Sequence, residues 1–529
     1  TGERSELGDS TSQEPRQSRR GAPLKVLEDR TSLSGDRVDV AARIAWLLRT
    51  SRLVAPATRS LPQYAMVDRL ARVGLAVSRN WVHRLEAGEL RSGVGAEGYE
   101  RVLGLAPGRL RAAIDITCRS TPESPVDSDP GELLDDVMQL SEATDAVLGD
   151  RPTGWQWFTW ARQFSRDEVR GLRVPVARRL IGRLSDELGR SVDVAYDARY
   201  EALAALRGGP YGQLVIEAVR ETLDEEHVQV VMDLVSAVTE VSDTDAFELC
   251  AELVADERPH VVQAAVHGLE NLLSGTAERE HDWGRLGTVA VRAFNDADHD
   301  SDQAHALAHL LRLLASRRVR LERPARPLPP TASLDRPGRA STAEQWGRCL
   351  QLADEICDAV GLGHEPMLAR LLFDLLISWS SNRAFPSSRI LAALPFAPVV
   401  VDHVVAFVED EPDPLLRGRM LGRVAMVAGV DAPDGVERWL HDPELRPAGL
   451  VLLAHGGVQP PAEQLRAMLA DRASWRRALY AAGMTGHPVL QDVRTDGAVA
   501  AEVRGAAAWW SARGGRVVDP VEVGPAPLD

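Results

Sequence analysis

Residues 60–88 read SLPQYAMVDRLARVGLAVSRNWVHRLEAG, and this stretch decides how the chain is read. Ser60 can cap a helix whose first turn holds Pro62, where the missing N–H costs nothing. Met66, Leu70 and Val73 recur at helical spacing and define one apolar face. Gly74 breaks that helix, Ser78 caps a second one, and Val82 and Leu85 face inward from it. Gly88 stands where a helix commonly ends on a left-handed glycine. Two short helices across a tight turn, with polar residues outside the second, have the form of a major-groove reader. The candidate contact residues are Ser78, Arg79, Asn80, Trp81, His83 and Arg84. An arginine fork matches the O6 and N7 acceptors of guanine, and an asparagine amide matches adenine.

The neighbouring sequence supports this. Residues 84–88, RLEAG, resemble the R-x-E-x-G ending of the recognition helix in Xre-type, lambda-repressor-like DNA-binding domains of actinobacterial regulators. Residues 41–52 (AARIAWLLRTSR) resemble the first helix of that domain, and residues 99–115 (YERVLGLAPGRLRAAID) its closing helices. The resemblance covers residues 36–118. It implies a helix-turn-helix domain that binds double-stranded DNA with the first turn of its second helix on base edges. It also implies that Glu86 is structural and pairs with an arginine of the first helix, for which Arg49 is the candidate. Trp81 stands where the family usually has a small polar residue, and the turn around Gly74 is one residue longer. Heads of this size commonly work as dimers on two half-sites, so a homodimer is expected.

Charge is unevenly spread. The whole chain carries −16, yet residues 36–118 hold 13 arginines against 8 acidic residues. A small basic module on a large acidic body fits a DNA-binding head with a separate regulatory or partner-binding part. Lys25 is the only lysine. A P-loop therefore has no lysine to use, and a lysine Schiff base is excluded except in the N-terminal tail. The four cysteines, Cys118, Cys250, Cys349 and Cys357, never form C-x-x-C, and no paired histidine motif completes a zinc site. No Gly-x-Ser-x-Gly, His-Glu-x-x-His or dinucleotide fingerprint occurs, so neither an enzyme nor a cofactor is expected. No apolar run is long enough to cross a membrane, and a cytoplasmic, nucleoid-associated protein is expected.

The rest of the chain reads as nearly all helix. Residues 1–35 lack an apolar period and read as a disordered tail. Residues 119–132 and the Pro-rich residues 323–342 read as linkers that divide the body into 133–322 and 343–518, with a tail at 519–529. Residues 256–273 (DERPHVVQAAVHGLENLL) and 296–314 (DADHDSDQAHALAHLLRLL) place Gln263-Ala264 and Gln303-Ala304 in matching positions. That spacing resembles HEAT-type helical repeats. The expected fold is all-α: a helix-turn-helix domain followed by a helical-repeat α-solenoid body in two parts. Such an array offers a groove for a protein or peptide partner. Trp155, Trp157 and Trp160 suit a core or interdomain seam or, alternatively, a ligand pocket or docking face, and Trp509 and Trp510 suit an end cap. The expected function is a sequence-specific transcriptional regulator. The alternatives are an interaction scaffold using the acidic groove and a low-specificity nucleoid binder.

Overall fold

The computed structural model describes residues 26–35, 37–55, 61–121, 137–166, 171–274, 281–299, 301–329, 341–378, 380–471 and 474–520. Ser60, residues 1–25, most of both expected linkers and residues 521–529 lie outside these. Helix is the regular structure of the described residues, with no strand among them and a single bridge between Ser191 and Val517. No helix among them is long and apolar enough to cross a membrane.

Five helices form the head: α1 (Val40–Val54), α2 (Gln63–Arg72), α3 (Arg79–Glu86), α4 (Gly93–Leu103) and α5 (Arg109–Arg119). The first array holds α6 (Val137–Leu148), α7 (Gly154–Phe164), α8 (Val174–Leu188), α9 (Val194–Arg207), α10 (Gly212–Leu223), α11 (Met232–Thr239), α12 (Thr244–Leu253), α13 (Pro259–Ser274), α14 (Trp283–Asp296) and α15 (Asp302–Ser316). The second array runs through α16 (Thr342–Val360), α17 (Pro366–Leu376), α18 (Ser381–Ala393), α19 (Ala397–Glu409) and α20 (Pro414–Val424). After a 3-10 turn at Val436–His441 it continues as α21 (Arg446–Gly456), α22 (Ala462–Leu469), α23 (Trp475–Met484), α24 (Val489–Thr495) and α25 (Ala501–Arg513).

In the first array α7, α9, α11, α13 and α15 pack one on the next as a single layer. Helices α8 and α10 lean on α9, α12 on α13, and α14 on α15, as the second layer. The repeated Gln-Ala pairs fall on α13 and α15, and both Ala264 and Ala304 are fully buried where small residues let helices approach. Gly268 marks the closest approach, since a Cβ there would lie 2.9 Å from Cys250 Sγ and from Val235 Cγ1.

The head is not a separate unit on a tether. Its core residues, among them Ile44, Trp46, Leu70, Val82 and Tyr99, belong to one apolar core with the second array. Polar contacts reinforce the joint. Trp46 Nε1 donates to Glu365 at 2.8 Å, and Arg109 Nη1 donates to the Ala392 carbonyl at 3.0 Å. Helix α5 packs on both α9 and α18, so it is wedged between the arrays. The tryptophan cluster divides between core and seam. Trp157 and Trp160 are buried in the first array, while Trp155 stacks on Phe158 and lies against Gly108 of the head.

Several expected boundaries move. Residues 26–35 are packed rather than disordered: Leu27 and Asp29 are buried. Arg119 ends α5 and binds Glu201 instead of starting a linker. Residues 323–329 lie along the first array, with Arg326 donating to the Phe294 and Ala297 carbonyls at 2.6 and 2.7 Å. Trp509 is not an end cap, because it donates to Glu225 of the first array at 2.8 Å. Asp519 reaches the Gly154 N–H at 2.7 Å. The end of the second array thus closes back on the start of the first.

A buried ionic cluster fixes the head in this arrangement. Arg43 of α1 contacts Asp29 at 2.7 Å and Asp374 of α17 at 2.5 Å, with no exposure on any of the three side chains. Asp374 also meets Arg383 at 2.6 Å and Arg370 at 3.3 Å. The last two arginines bind the carbonyls of Thr31, Ser32, Leu33 and Gly35. Removing one partner of such a group strands the others without water. Asp374→Ala should therefore lower unfolding stability by about 3–5 kcal/mol. Asp492→Ala, in the exposed Arg466–Asp492 pair, should cost about 1 kcal/mol or less. Chemical denaturation of the full chain checks the contrast, and equal small losses would contradict it.

Candidate nucleic-acid interface

The helix-turn-helix forms as the sequence predicts, with local differences. Pro62 is itself the N-cap of α2. Met66 and Leu70 are fully buried, so the periodic face is real. Gly74 holds φ +88°, which an L side chain adopts only under strain. The Ser78 hydroxyl accepts from the Trp81 N–H at 3.1 Å and caps α3. Gly88, at φ +77°, ends the turn against α1, where a Cβ would sit 3.2 Å from the Ala41 carbonyl oxygen. These two glycines set the angle at which α3 leaves the head.

Helix α3 is divided into two faces. Val82, Leu85 and Glu86 are buried. Ser78, Arg79, Asn80, His83 and Arg84 are exposed. Trp81, which could contact a groove or plug the turn, stands between the two faces. It is half-buried, and its ring leans over Gly95 of α4, where an added Cβ would be 2.7 Å away. Its indole therefore packs between α3 and α4, and Gly95 is the residue that makes room for it. Arg72 and Tyr64 of α2 are also exposed, Tyr64 by 61%. Both escaped the sequence reading, though the burial of Met66 and Leu70 already turns the opposite side of α2 to solvent.

The expected Arg49–Glu86 pair is corrected to Arg52–Glu86. The Arg52 guanidinium grips Glu86 with both prongs, Nε to Oε1 at 2.6 Å and Nη2 to Oε2 at 2.8 Å. Gln63 of α2 and Tyr99 of α4 also donate to Glu86, at 2.9 and 2.7 Å. One carboxylate thus joins α1, α2, α3 and α4. Arg49 instead approaches Glu365 at 3.5 Å, on the joint to the second array. Three positions separate the two arginines on nearly the same side of α1, so the sequence alone leaves their registers ambiguous.

The electrostatic result suits an anionic ligand. The sole acid of α3 faces inward and is matched by Arg52, while Arg79 and Arg84 carry charge outward. No family model matches this sequence, and no curated protein matches it. The interface therefore rests on its own geometry.

Burial alone would raise the Glu86 carboxyl, but the hydrogen bonds from Arg52, Gln63 and Tyr99 hold it below its ordinary 4.5. A carboxyl depressed in the folded state stabilises the fold above its unfolded value, and that contribution is lost as pH falls through the folded value. Glu100 acts in the opposite sense, because burial pushes it up to about 7 even though it accepts three backbone N–H bonds at the start of α5. Its contribution changes between about 7 and 4.5, and Asp29, Asp256, Glu270, Glu344 and Glu409 are depressed like Glu86, so the Glu86 effect is read as the difference between a variant and the unaltered chain. The expected outcome is that Glu86→Gln destabilises the chain at neutral pH and flattens the loss of stability on acidification below 4.5. Denaturation midpoints at several pH values measure this, and parallel pH profiles for the two proteins would contradict it.

Proposed function

We propose that the chain binds double-stranded DNA by laying α3 in the major groove, and that it acts as a sequence-specific transcriptional regulator. One observation carries the reading: Arg79, Asn80, His83 and Arg84 project to solvent from a short helix whose inner side is locked to three others by Glu86. Rigid first-turn side chains on an exposed helix are what direct base readout requires. Arg79 and Asn80 take the base edges. Arg84 and Arg72 face the phosphates. Trp81 supports the helix from behind.

The acidic charge of the remaining chain opposes phosphate and orients the duplex toward the head. A single α3 makes few base contacts, and two copies of the chain on two half-sites would supply the usual number. The scaffold reading is less favoured on the first array. The inner layer of that array is faced by the chain's own α18, through Arg389–Asp197 at 2.8 Å, Phe385 on Tyr200 and Ser381–Glu270 at 3.1 Å.

Selection of full-length protein against a random duplex pool at two salt concentrations tests the reading. An enriched motif is expected, with total affinity falling as salt rises. Arg79→Ala should cost about 1–3 kcal/mol on that motif and relax one base position. Arg72→Ala should weaken all sequences alike and reduce the salt slope by about one. Retention of DNA without enrichment at either salt would favour a low-specificity nucleoid binder. Absence of any retained DNA would overturn the proposal.

A further inference from the structure

A cavity of about 400 Å³ opens where α9, α11 and α13 of the first array face α5, α18 and the end of α20. That volume lies within the range of small-molecule sites, which extends from roughly 300 to 1,000 Å³. Met232, 38% exposed, also lines it, so the space reaches the surface.

The charges on the lining balance. Two guanidinium groups, Arg119 and Arg423, stand against two carboxylates, Asp233 and Glu240. Arg119 is bound by Glu201 and also acts on Glu240. The histidine of the lining, His267, faces Glu270 at 3.9 Å. A ligand with a net charge would bring an unmatched charge into this setting, which is costly. The balance selects a ligand without one.

The hydrogen-bonding capacity of the walls is only partly used. Tyr196 donates to Asp233 at 2.8 Å, and Tyr200 donates to Glu240 at 2.6 Å. A carboxylate offers about four acceptor positions, so each can take further donors. Asn271 turns its amide N–H groups to Thr239 at 3.2 Å and Ser236 at 3.4 Å, which leaves its carbonyl oxygen to accept. Ser120 and Ser242 line the space, and their buried hydroxyl oxygens have no hydrogen-bond partner among the described residues. Arg423 uses Nη1 on the carbonyls of Leu375 and Ser378, at 2.7 and 2.6 Å, and keeps Nε and Nη2 to donate. Hydroxyl groups suit both kinds of partner, since each donates once and accepts at two lone pairs.

The spacing points to a ring. Asp233 and Glu240 are two helical turns apart on α11 and its C-cap, about 10 Å along the axis. A hydrogen bond of about 2.7 Å at each end leaves roughly 5 Å between the two ligand oxygens, which is the span across a six-membered ring bearing hydroxyl groups on opposite carbons. Phe385 and Pro386 of α18 and Met426 after α20 supply an apolar wall for the C–H groups of such a ring.

We propose that this cavity binds a neutral ring polyol of monosaccharide size, with hydroxyl groups on Asp233, Glu240 and Arg423 and the carbon ring against Phe385 and Met426. The site lies within the arrays and its test involves no nucleic acid, so it stands apart from DNA binding.

Isothermal titration of the full chain with neutral hexoses, pentoses and inositols tests it, beside glucosamine, glucuronate and glycerol. At least one ring polyol should bind, and glucosamine, glucuronate and glycerol should each bind about tenfold more weakly or worse. Asp233→Asn and Glu240→Gln should each weaken the best ring polyol by about tenfold or more, because a hydrogen bond to a charged group is lost. Both substitutions keep an oxygen for the tyrosine bond, and melting curves without ligand establish that the variants fold. The selectivity against charged and open-chain compounds is read on the unaltered chain, so it stands as a test even if a variant unfolds. Ring polyols that bind no better than glycerol would overturn the proposal. So would glucosamine or glucuronate binding as tightly as the best neutral compound, or affinity that both folded variants retain.

Discussion

The arrangement of this molecule depends on the buried contact between Arg43 and Asp374. Both side chains are fully out of water, and Asp29, Arg370 and Arg383 complete the group. Three guanidinium groups meet two carboxylates, and the excess positive charge is met by backbone carbonyls of residues 31–35. Desolvating such groups is costly, and an apolar cluster would hold the same surfaces together with less penalty. What the ionic group adds is direction. Arginine forks accept few geometries, so α1, α17, α18 and the N-terminal segment meet in one register. Because α1 is buried along most of its length, the outer face of α3 is left toward solvent.

Arginine performs a second task throughout the body. Forks from one helix repeatedly reach the free carbonyls at the end of another. Arg419 and Arg423 bind the carbonyls of residues 375–378 at the end of α17. Arg183 binds those of Gly149 and Asp150 after α6, and Arg258 binds those of Leu223 and Glu225 at the end of α10. The last turn of a helix leaves its carbonyls without intrahelical donors and carries partial negative charge. A cation from the neighbouring helix satisfies both deficits and fixes the spacing between helices. The near absence of lysine thus has a structural correlate, since a planar fork can serve two carbonyls at once.

The sequence made local features legible and long-range ones illegible. The α2–α3 unit could be read because Met66 and Leu70 stand at helical spacing before Gly74, and Val82 and Leu85 between Gly74 and Gly88. The alternation of paired helices could be read from matching Gln-Ala positions. Residues 26–35 read as disordered because they carry no apolar period. Their order comes from Arg370 and Arg383, more than three hundred positions away, which no local pattern can reveal. The exchange of Arg49 for Arg52 as the partner of Glu86 is a one-turn error within a correct argument. The polar cavity was hidden for the same reason as the cluster, because its lining comes from α5, α9, α11, α13, α18 and the end of α20.

A head that shares its core with the second array also changes how its role must be probed. Excising residues 36–118 would uncover the apolar surfaces of α17 and α18 and take Trp46 and Arg49 from Glu365, so a loss of function after deletion would carry no information about α3. The outer face of α3 is different. Arg79, Asn80 and His83 are exposed, and α3 is held by its buried side. Substitutions there act on the ligand without acting on the fold, since exposed polar positions away from buried networks change stability by only about 0.5 kcal/mol. The same shared core limits the motions open to the head. Any reorientation of α3 relative to the arrays has to break the Arg43 cluster or slide α5 between α9 and α18. A ligand that acts on α3 from a distance must therefore act through the Arg43 cluster or through α5, the helix that ends at Arg119 on the cavity wall.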